Sequence, residues 1–247
     1  MVRTATSARL AIDYHAPACA WRTCDVYYPS DDCTPRPTLI FIGGGGWSCF
    51  EPFNDHAVIV RDAVARGFVA VIVRHRPVRI SILAPVLVAC MLLLPWLSPL
   101  LLLSLAALAL ALAELISLAL GAVPMAGVLH DCACAVGFVH SQLAQQVSCL
   151  DPERLVFCGN SSGGHLLSLL ALDPRWLSAV AVPRAHVRAV VDVSGVQSLE
   201  SPLLLPFRLA ILGCFLDCDA SAAASLSPLC HVATVCPTTA FYLISCE

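Results

Sequence analysis

Short runs of apolar, largely β-branched residues recur along most of this chain. Continuous runs of this kind are typical of strands that are buried on both faces of a sheet. Five of them are found, at residues 38–43, 68–73, 154–159, 189–193 and 239–245. Three stretches between them have the spacing and terminal residues of helices, at residues 54–66, 124–146 and 163–172. Strands that alternate with helices predict an α/β fold with a mostly parallel, doubly wound sheet.

A long apolar stretch breaks this alternation. Residues 80–113 contain no charged residue and no histidine, and Glu114 is the first charge after them. Pro95 and Pro99 divide the stretch, because proline removes a backbone donor and clashes with the preceding helical turn. Two helical arms are therefore predicted, at residues 80–94 and 100–120.

The second arm is apolar enough to enter a membrane. It contains eleven leucines and one isoleucine. These favour insertion by about 4 to 7 kcal/mol, against a cost of about 3 kcal/mol for a central Glu114. The length also fits, since a span needs about 20 apolar residues. A pair of buried helices in a soluble protein is the alternative, because the first arm is short and contains Pro85.

The position of this insert within the sheet determines its topology. The strands before and after it belong to one sheet, so the chain must cross a bilayer an even number of times. A helical hairpin satisfies this condition, and Arg74, Arg76 and Arg79 before it place the sheet on the cytosolic side. The predicted organisation is the first part of an α/β domain, a membrane hairpin and the remainder of the domain, at residues 1–79, 80–123 and 124–247.

The composition agrees with a membrane-associated α/β protein. Hydrophobic residues make up 58% and charged residues 13% of the chain, compared with about 45–50% and about 25% in soluble domains. The net charge of −3 argues against a nucleic-acid partner. Fourteen cysteines without an export signal indicate reduced thiols, and the spacing of Cys132 and Cys134 is not that of a zinc site, so no metal or other cofactor is predicted. An intracellular membrane, the endoplasmic reticulum or Golgi, is the expected location.

A serine motif follows one of the predicted strands. Residues 159–163 have the pattern G-x-S-x-G, between an apolar strand and an apolar helix. This is the context of a nucleophile elbow, in which Ser161 occupies a sharp turn and larger residues at Gly159 or Gly163 would collide. The turn directs the backbone N–H of Ser162 toward a developing oxyanion. The alternative is a glycine-rich turn that only packs the helix on the sheet.

A run of four glycines begins at Gly43, the last residue of the predicted strand at residues 38–43, and Trp47 follows it. Glycine leaves backbone N–H groups unshielded and permits positive φ. Gly44, Gly45 and Gly46 are therefore candidates for the second donor to an oxyanion. A phosphate-binding loop is excluded because no Lys-Ser/Thr pair follows, and the spacing of a dinucleotide fingerprint is missing.

These motifs are similar to those of the α/β-hydrolase superfamily, in particular its hormone-sensitive-lipase-like and prenylcysteine-methylesterase-like carboxylesterases. The resemblance runs from about Cys24 to the end, apart from the insert. Five segments carry it: CDVYYP at 24–29, IGGGGW at 42–47, ARGFVAVIVRHR at 65–76, DPERLVFCGNSSGGHL at 151–166 and DVSGV at 192–196. It implies hydrolysis of a carboxylic ester through an acyl-serine intermediate on Ser161, with a lipidated or prenylcysteine methyl ester as the substrate class. The hydrophobic insert, separately, predicts membrane lipids as partners.

The chain departs from this family in three respects. Gly43 stands where many members have histidine, and the hydrophobic insert is not part of the common fold. In the family the acid and then the histidine of the triad follow the strand that residues 239–245 resemble, whereas this chain ends at Glu247. His165 occupies a place where the family often has a non-catalytic histidine. The sequence is interpreted as a C-terminally truncated enzyme, and an inactive hydrolase fold that serves as a membrane scaffold or binding protein is the alternative.

Overall fold

Seven strands form one sheet in the computed structural model, which describes residues 6–29, 34–47, 56–79, 98–200 and 220–245. In chain order they are β1 (Thr6–Asp13), β2 (Thr23–Pro29), β3 (Arg36–Ile42), β4 (Val69–Val73), β5 (Leu150–Asn160), β6 (Val187–Val193) and β7 (Ala240–Ile244). Their order in space is β1-β2-β4-β3-β5-β6-β7. All five strands predicted from apolar runs are therefore confirmed, with end points that differ by up to four residues.

The sheet is mixed, which corrects the expectation of parallel strands at one edge. β1 pairs with β2, and β2 with β4, in antiparallel orientation. The pairings of β4 with β3, β3 with β5, β5 with β6 and β6 with β7 are parallel. Neither β1 nor β2 is among the five predicted runs, although residues 24–29 of β2 belong to the family resemblance. β1 lies at the edge of the sheet, where a strand is not enclosed on both faces and needs no continuous apolar run. The α/β class is confirmed.

Helices cover both faces of the sheet. Within the described ranges they are α1 (His56–Ala65), α2 (Pro99–Ala119), α3 (Met125–Phe138), α4 (Ser162–Leu172), α5 (Pro174–Ala179) and α6 (Ala220–Ser225). A π-helical turn, Val139–Leu143, and a last turn, Ala144–Gln146, extend α3. α1, extended α3 and α4 confirm the three helices predicted between strands, whereas the short α5 and α6 were not predicted.

The core has two layers, one on each face. On one face, Val60 and Val64 of α1 pack against Phe41 and Ile72 of the sheet. On the other face, a larger core contains Leu129 of α3 together with residues of α4 and the opposite sides of the strands. All five residues of β4 and all eleven of α4 are buried. This is the doubly wound arrangement that the alternation of strands and helices predicts.

The second predicted arm of the insert forms α2, which begins and ends one residue before the predicted bounds. The first predicted arm, residues 80–94, lies outside the described residues. Large apolar side chains of α2 and the turn after it are 43–66% exposed: Leu101, Leu105, Leu108, Leu112, Leu115, Ile116 and Leu120. In the part of the chain that the structure describes, no helix is both long and apolar enough to cross a membrane.

The two ends of the insert meet at one point of the domain. Val78 and Val123 form an isolated parallel bridge. The N–H of Arg79 donates to the carbonyl of Val123 at 2.6 Å, and the N–H of Val123 donates to the carbonyl of Pro77 at 3.0 Å. The chain therefore returns to the domain at the place where it leaves.

Two of the arginines before the insert are bound to the domain. Arg74 pairs with Asp25 at 2.5 Å. The guanidinium of Arg76 makes two hydrogen bonds, of 2.8 and 2.7 Å, to the carboxylate of Asp131, whose side chain is fully buried. Because a buried carboxylate needs a partner, Arg76 stabilises the fold. Its charge therefore has a structural role besides the predicted one of orienting the insert.

Candidate active site

Ser161 lies between the end of β5 and the start of α4, with φ 52° and ψ −120°. A non-glycine residue in this region is strained by about 1–3 kcal/mol, and such strain persists only where neighbours hold the backbone. The N–H of Ser161 donates to the carbonyl of Val193 in β6 at 2.8 Å, and its carbonyl accepts from the N–H of His165 at 3.1 Å. The predicted sharp turn from strand to helix is therefore present.

The two elbow glycines allow α4 to approach the sheet closely. A Cβ added to Gly163 would lie 2.1 Å from the carbonyl oxygen of Ile42 and 2.5 Å from that of Gly43. A Cβ added to Gly159 would lie 2.5 Å from backbone atoms of Gly163. These are contacts with backbone rather than with flexible side chains, so no larger residue fits without moving the sheet or the helix.

The glycine loop, defined as residues 43–46, passes beside the elbow. A Cβ added to Gly44 would lie 3.2 Å from the Cβ of Ser161. Gly45 and Gly46 have φ values of 125° and 61°, and a Cβ added to Gly46 would meet no described atom within 4 Å. The structure thus brings Gly44 to Ser161, whereas Gly46 is not in contact with any of the described residues in this way.

Ser162 is the first residue of α4, and its side chain is buried. At this position its backbone N–H belongs to the first turn of an eleven-residue helix, whose N-terminal end carries a partial positive charge of about half a unit. The serine side chain, the start of the helix and the glycine backbone therefore meet at the carboxyl ends of β3 and β5. This arrangement suits a reaction in which an anion develops on an atom next to Ser161.

Asp192 connects the elbow helix to the loop after β6. In the sequence this residue appeared only as part of the motif DVSGV. Its side chain is 1% exposed and accepts hydrogen bonds from Ser168 of α4 at 2.9 Å, from the N–H of Gly195 at 2.7 Å and from the amide of Gln197. A Cβ added to Gly164 would lie 2.3 Å from its carboxylate. The carboxylate therefore ties α4 to the loop after β6, which spacing along the sequence does not reveal.

A cavity of about 230 Å³ lies at the carboxyl ends of β6 and β7. Polar groups of Asp192, Ser194, Gln197 and Ser245 share its lining with Leu243 and other residues. Because Ser161 follows the carboxyl end of β5, which is parallel to β6, the cavity is on the same edge of the sheet as the elbow. In open α/β sheets, ligands bind outside this edge.

The histidines whose side chains are described bind groups other than the Ser161 side chain. All eight lie within the described ranges, and the side chains of all except His56 are described. Their contacts are His15 with Arg22, His75 with the Arg76 carbonyl, His130 with Cys134, His140 with His186, His165 with Trp47 and the Leu226 carbonyl, and His231 with the Ser225 carbonyl. The described residues thus place none of these seven side chains as a base on Ser161.

Solved esterases have the same fold as this chain. Esterase B from Lactobacillus rhamnosis, inhibited by a tributyrin phosphonate, matches with a TM-score of 0.64 and 17% identity, over 96% of this chain and 64% of that chain. Butyrate-bound Est2 from Thermogutta terrifontis matches with a TM-score of 0.56 and 16% identity, over 97% and 83%. The T. terrifontis esterase 2 phosphoramylated by tabun matches with a TM-score of 0.53 and 15% identity, over 97% and 83%. These similarities establish the α/β-hydrolase fold.

The chain is shorter than one of these esterases, and a family model matches half of it. The chain spans just under two thirds of the length of the Lactobacillus esterase, at 64%. No curated protein matches its sequence. The BD-FAE family model matches residues 118–241, half of the chain, from the last turn of α2 through the elbow to β7. The segment contains Ser161 and both elbow glycines, Gly159 and Gly163. Because the match covers half of the chain, the chain belongs to the BD-FAE family.

Proposed function

We propose that the full-length protein hydrolyses carboxylic esters through an acyl-serine intermediate on Ser161. The observation that carries this proposal is the left-handed turn at Ser161, with the backbone of Gly44 against its Cβ. A serine held in this way at a strand-to-helix turn is the nucleophile elbow of hydrolases. The esterase fold of the chain supports the same reaction class.

In the proposed reaction, the hydroxyl oxygen of Ser161 attacks the carbonyl carbon of the ester. The carbonyl π electrons move to the oxygen, which becomes an oxyanion, and the hydroxyl proton passes to a base. Backbone N–H groups of Ser162 and of Gly44, Gly45 and Gly46 are the candidate donors to this oxyanion, and loss of one such donor costs about 3–4 kcal/mol. The alcohol then leaves with the proton, and water releases the acid from the serine.

We place the acid and the histidine that activate Ser161 in sequence beyond residue 247. Two observations support this: the described histidine side chains bind other groups, and the chain spans 64% of the Lactobacillus esterase. The histidine contacts also favour a second candidate function, an inactive hydrolase fold that serves as a scaffold or binding protein. A test of chemical reactivity at Ser161 separates the two.

A fluorophosphonate is expected to label Ser161 in the full-length protein. The serine oxygen would form a bond to phosphorus, fluoride would leave, and the serine proton would pass to the base. Mass spectrometry of the peptide containing residues 155–172 would locate the added phosphonyl group. Labelling of Ser161 no faster than in the heat-unfolded protein would contradict the proposed hydrolase and favour the scaffold.

We also propose that the substrate is an ester with a lipid tail, such as a prenylcysteine methyl ester, taken from a membrane on which α2 lies. The exposed apolar side chains of α2 form a stripe, in which leucines recur every three or four residues from Leu101 to Leu115. Glu114 is the only charged residue in the sequence of α2, so the helix lacks the rows of charges that flank a coiled-coil seam. An apolar face of this kind favours lipid as its partner.

The base of the insert supports an entrance from the membrane. The N–H of Val78 donates to the carbonyl of Trp47, which directly follows the glycine loop, at 2.8 Å. The insert therefore leaves the domain beside the elbow, so a membrane that binds α2 would lie next to the proposed active site. We place the protein on an intracellular membrane, the endoplasmic reticulum or Golgi, with the α/β domain in the cytosol; the support is the arginine-rich flank before the insert.

Replacing residues 80–121 with a short Gly/Ser linker tests this part of the proposal. The linker should not strain the domain, because Arg79 and Val123 are already joined by a hydrogen bond of 2.6 Å. Hydrolysis of a soluble short-chain ester is expected to persist. Hydrolysis of a lipid-tailed ester in vesicles is expected to fall about a hundredfold, because the enzyme loses its high effective concentration at the membrane.

A matched control keeps the insert and changes only its exposed stripe. Leu108 and Leu115 are 66% and 62% exposed, so replacing both with lysine removes apolar surface without opening the core. This variant should lose sedimentation with vesicles in parallel with activity on the vesicle-bound ester. Unchanged turnover of both substrates by the linker variant would mean that the insert is at most an anchor and that entry from the membrane is wrong.

A further inference from the structure

Trp47 connects the glycine loop to two other parts of the domain. Its side chain is buried, and its φ is 60°. The indole Nε1–H donates to Nδ1 of His165 in α4 at 3.1 Å, with the two rings at 83° and their centroids 5.3 Å apart. The backbone carbonyl of Trp47 accepts from Val78 at the base of the insert. Trp47 is therefore the point at which the loop, the elbow helix and the insert meet.

His165 is neutral, and both of its ring nitrogens are engaged. The indole nitrogen can only donate, so Nδ1 of His165 carries the lone pair and Nε2 carries the hydrogen. Nε2 donates to the carbonyl of Leu226 at 2.8 Å. Complete burial lowers the pKa of His165 to about 4, so the ring stays neutral near pH 7. The ring is thus a fixed connection between Trp47 and the segment that follows α6.

The glycine loop cannot hold its conformation through side chains. Gly45 and Gly46 have positive φ values, which glycine adopts readily but does not enforce. Ordering each such residue costs about 1–2 kcal/mol of conformational entropy. Donors to an oxyanion are effective only when they are already in place as the charge develops. An anchor directly after the last glycine supplies this order.

We propose that His165 is a positioning residue that, through Trp47, holds the glycine loop against Ser161. The inference rests on the proposed ester hydrolysis and adds a residue that the reaction scheme does not use. Trp47 comes three residues after Gly44, whose added Cβ would lie 3.2 Å from that of Ser161. Loss of the indole–imidazole hydrogen bond would leave a buried donor and acceptor unpaired. The end of the loop would then lose its side-chain connection to the elbow helix, and it would open away from the serine more often.

Two substitutions at His165 separate the two hydrogen bonds of its ring. In His165→Asn, the amide oxygen lies near the position of Nδ1 and still accepts from Trp47. In His165→Gln, the longer amide reaches the position of Nε2 and still donates to Leu226, but the indole loses its acceptor. Trp47→Phe removes the indole N–H and keeps a buried ring, so it should behave as His165→Gln does.

Hydrogen exchange of the full-length protein measures how often the loop opens. The peptide containing residues 42–47 is expected to exchange about tenfold faster in His165→Gln and Trp47→Phe, while peptides of β4 and β5 keep their protection. His165→Asn should keep the protection of the loop. In a kinetic assay, His165→Gln should lower kcat by about tenfold or more, since small displacements of catalytic groups are costly, and leave KM nearly unchanged.

Three results would contradict this role of His165. Unchanged loop exchange in His165→Gln, equal acceleration in His165→Asn, or faster exchange throughout the protein would each overturn it, because His165 would then have no specific action on the loop. Trp47→Phe decides the question if His165→Gln does not fold. Since exchange needs no turnover, this result is independent of the labelling of Ser161 that tests the proposed function.

Discussion

Replacing Ser161 with alanine is expected to reduce kcat/KM of the full-length protein on a short-chain p-nitrophenyl ester by about ten-thousandfold or more. The acyl intermediate cannot form without the hydroxyl oxygen, and removal of a catalytic nucleophile leaves only the contribution of binding and of the oxyanion donors. The stability of the protein should change by less than about 0.5 kcal/mol, because no described residue forms a hydrogen bond with the Ser161 side chain. Initial rates and urea unfolding, measured on the same preparations, give the two quantities.

Ser162→Ala is the matched control for this experiment. Its side chain is adjacent and buried, but only its backbone N–H takes part in the proposed reaction, so most of the activity should remain. Ser161→Gly provides a second control, because glycine adopts a φ of 52° without strain. It should be inactive and no less stable than the wild-type protein. Equal losses of activity in Ser161→Ala and Ser162→Ala would mean that Ser161 is not the nucleophile.

Replacing Gly163 with alanine is expected to destabilise the fold by about 3 kcal/mol or more, as severe overpacking of backbone does. The added Cβ would lie 2.1 Å from the carbonyl oxygen of Ile42, so α4 and the end of β3 would have to separate. Helix propensity predicts the opposite sign, since alanine is favoured over glycine by about 1 kcal/mol within a helix. The free energy of unfolding, obtained from urea titration, therefore distinguishes tertiary packing from local preference.

Gly46 and Gly121 serve as controls for the effect of an added methyl group. Both have positive φ, 61° and 63°, and an added Cβ at either meets no described atom within 4 Å. Alanine at each should cost about 1 kcal/mol from backbone strain alone. A loss at Gly163 no greater than at these two positions would show that the contact between the elbow helix and Ile42 is not tight. Activity should fall in Gly163→Ala and in Gly46→Ala, because both residues lie at the proposed active site. The strain at Gly121 should not lower activity, because Gly121 lies in the insert.

Local sequence features were sufficient for the central strands and for the elbow. β4 lies between two neighbours with helices on both sides, so its sequence, VAVIV, is apolar throughout and identifies the strand without further information. The elbow is similarly local, because Gly159, Ser161 and Gly163 lie within five residues and the same sharp turn restricts the residue type at each. The helix α2 was also predictable, since an uninterrupted leucine-rich run after Pro99 has little other choice of conformation.

The remaining features depend on contacts between residues that are distant in sequence. Trp47 and His165 are 118 residues apart, and the sequence shows a tryptophan and a histidine but not the hydrogen bond between them. The same holds for the pairing of Arg76 with Asp131 and for the closure of the insert between Arg79 and Val123.

The α/β class, the central strands and the serine turn could thus be predicted from the amino-acid order alone, because burial on both faces and a strained turn restrict the residues locally. The antiparallel edge, the place of Gly44 beside Ser161 and the partners of the histidines became visible only in the folded domain. These depend on which elements become neighbours, and a hydrogen bond or a close backbone contact leaves no periodic pattern in either of the segments that form it.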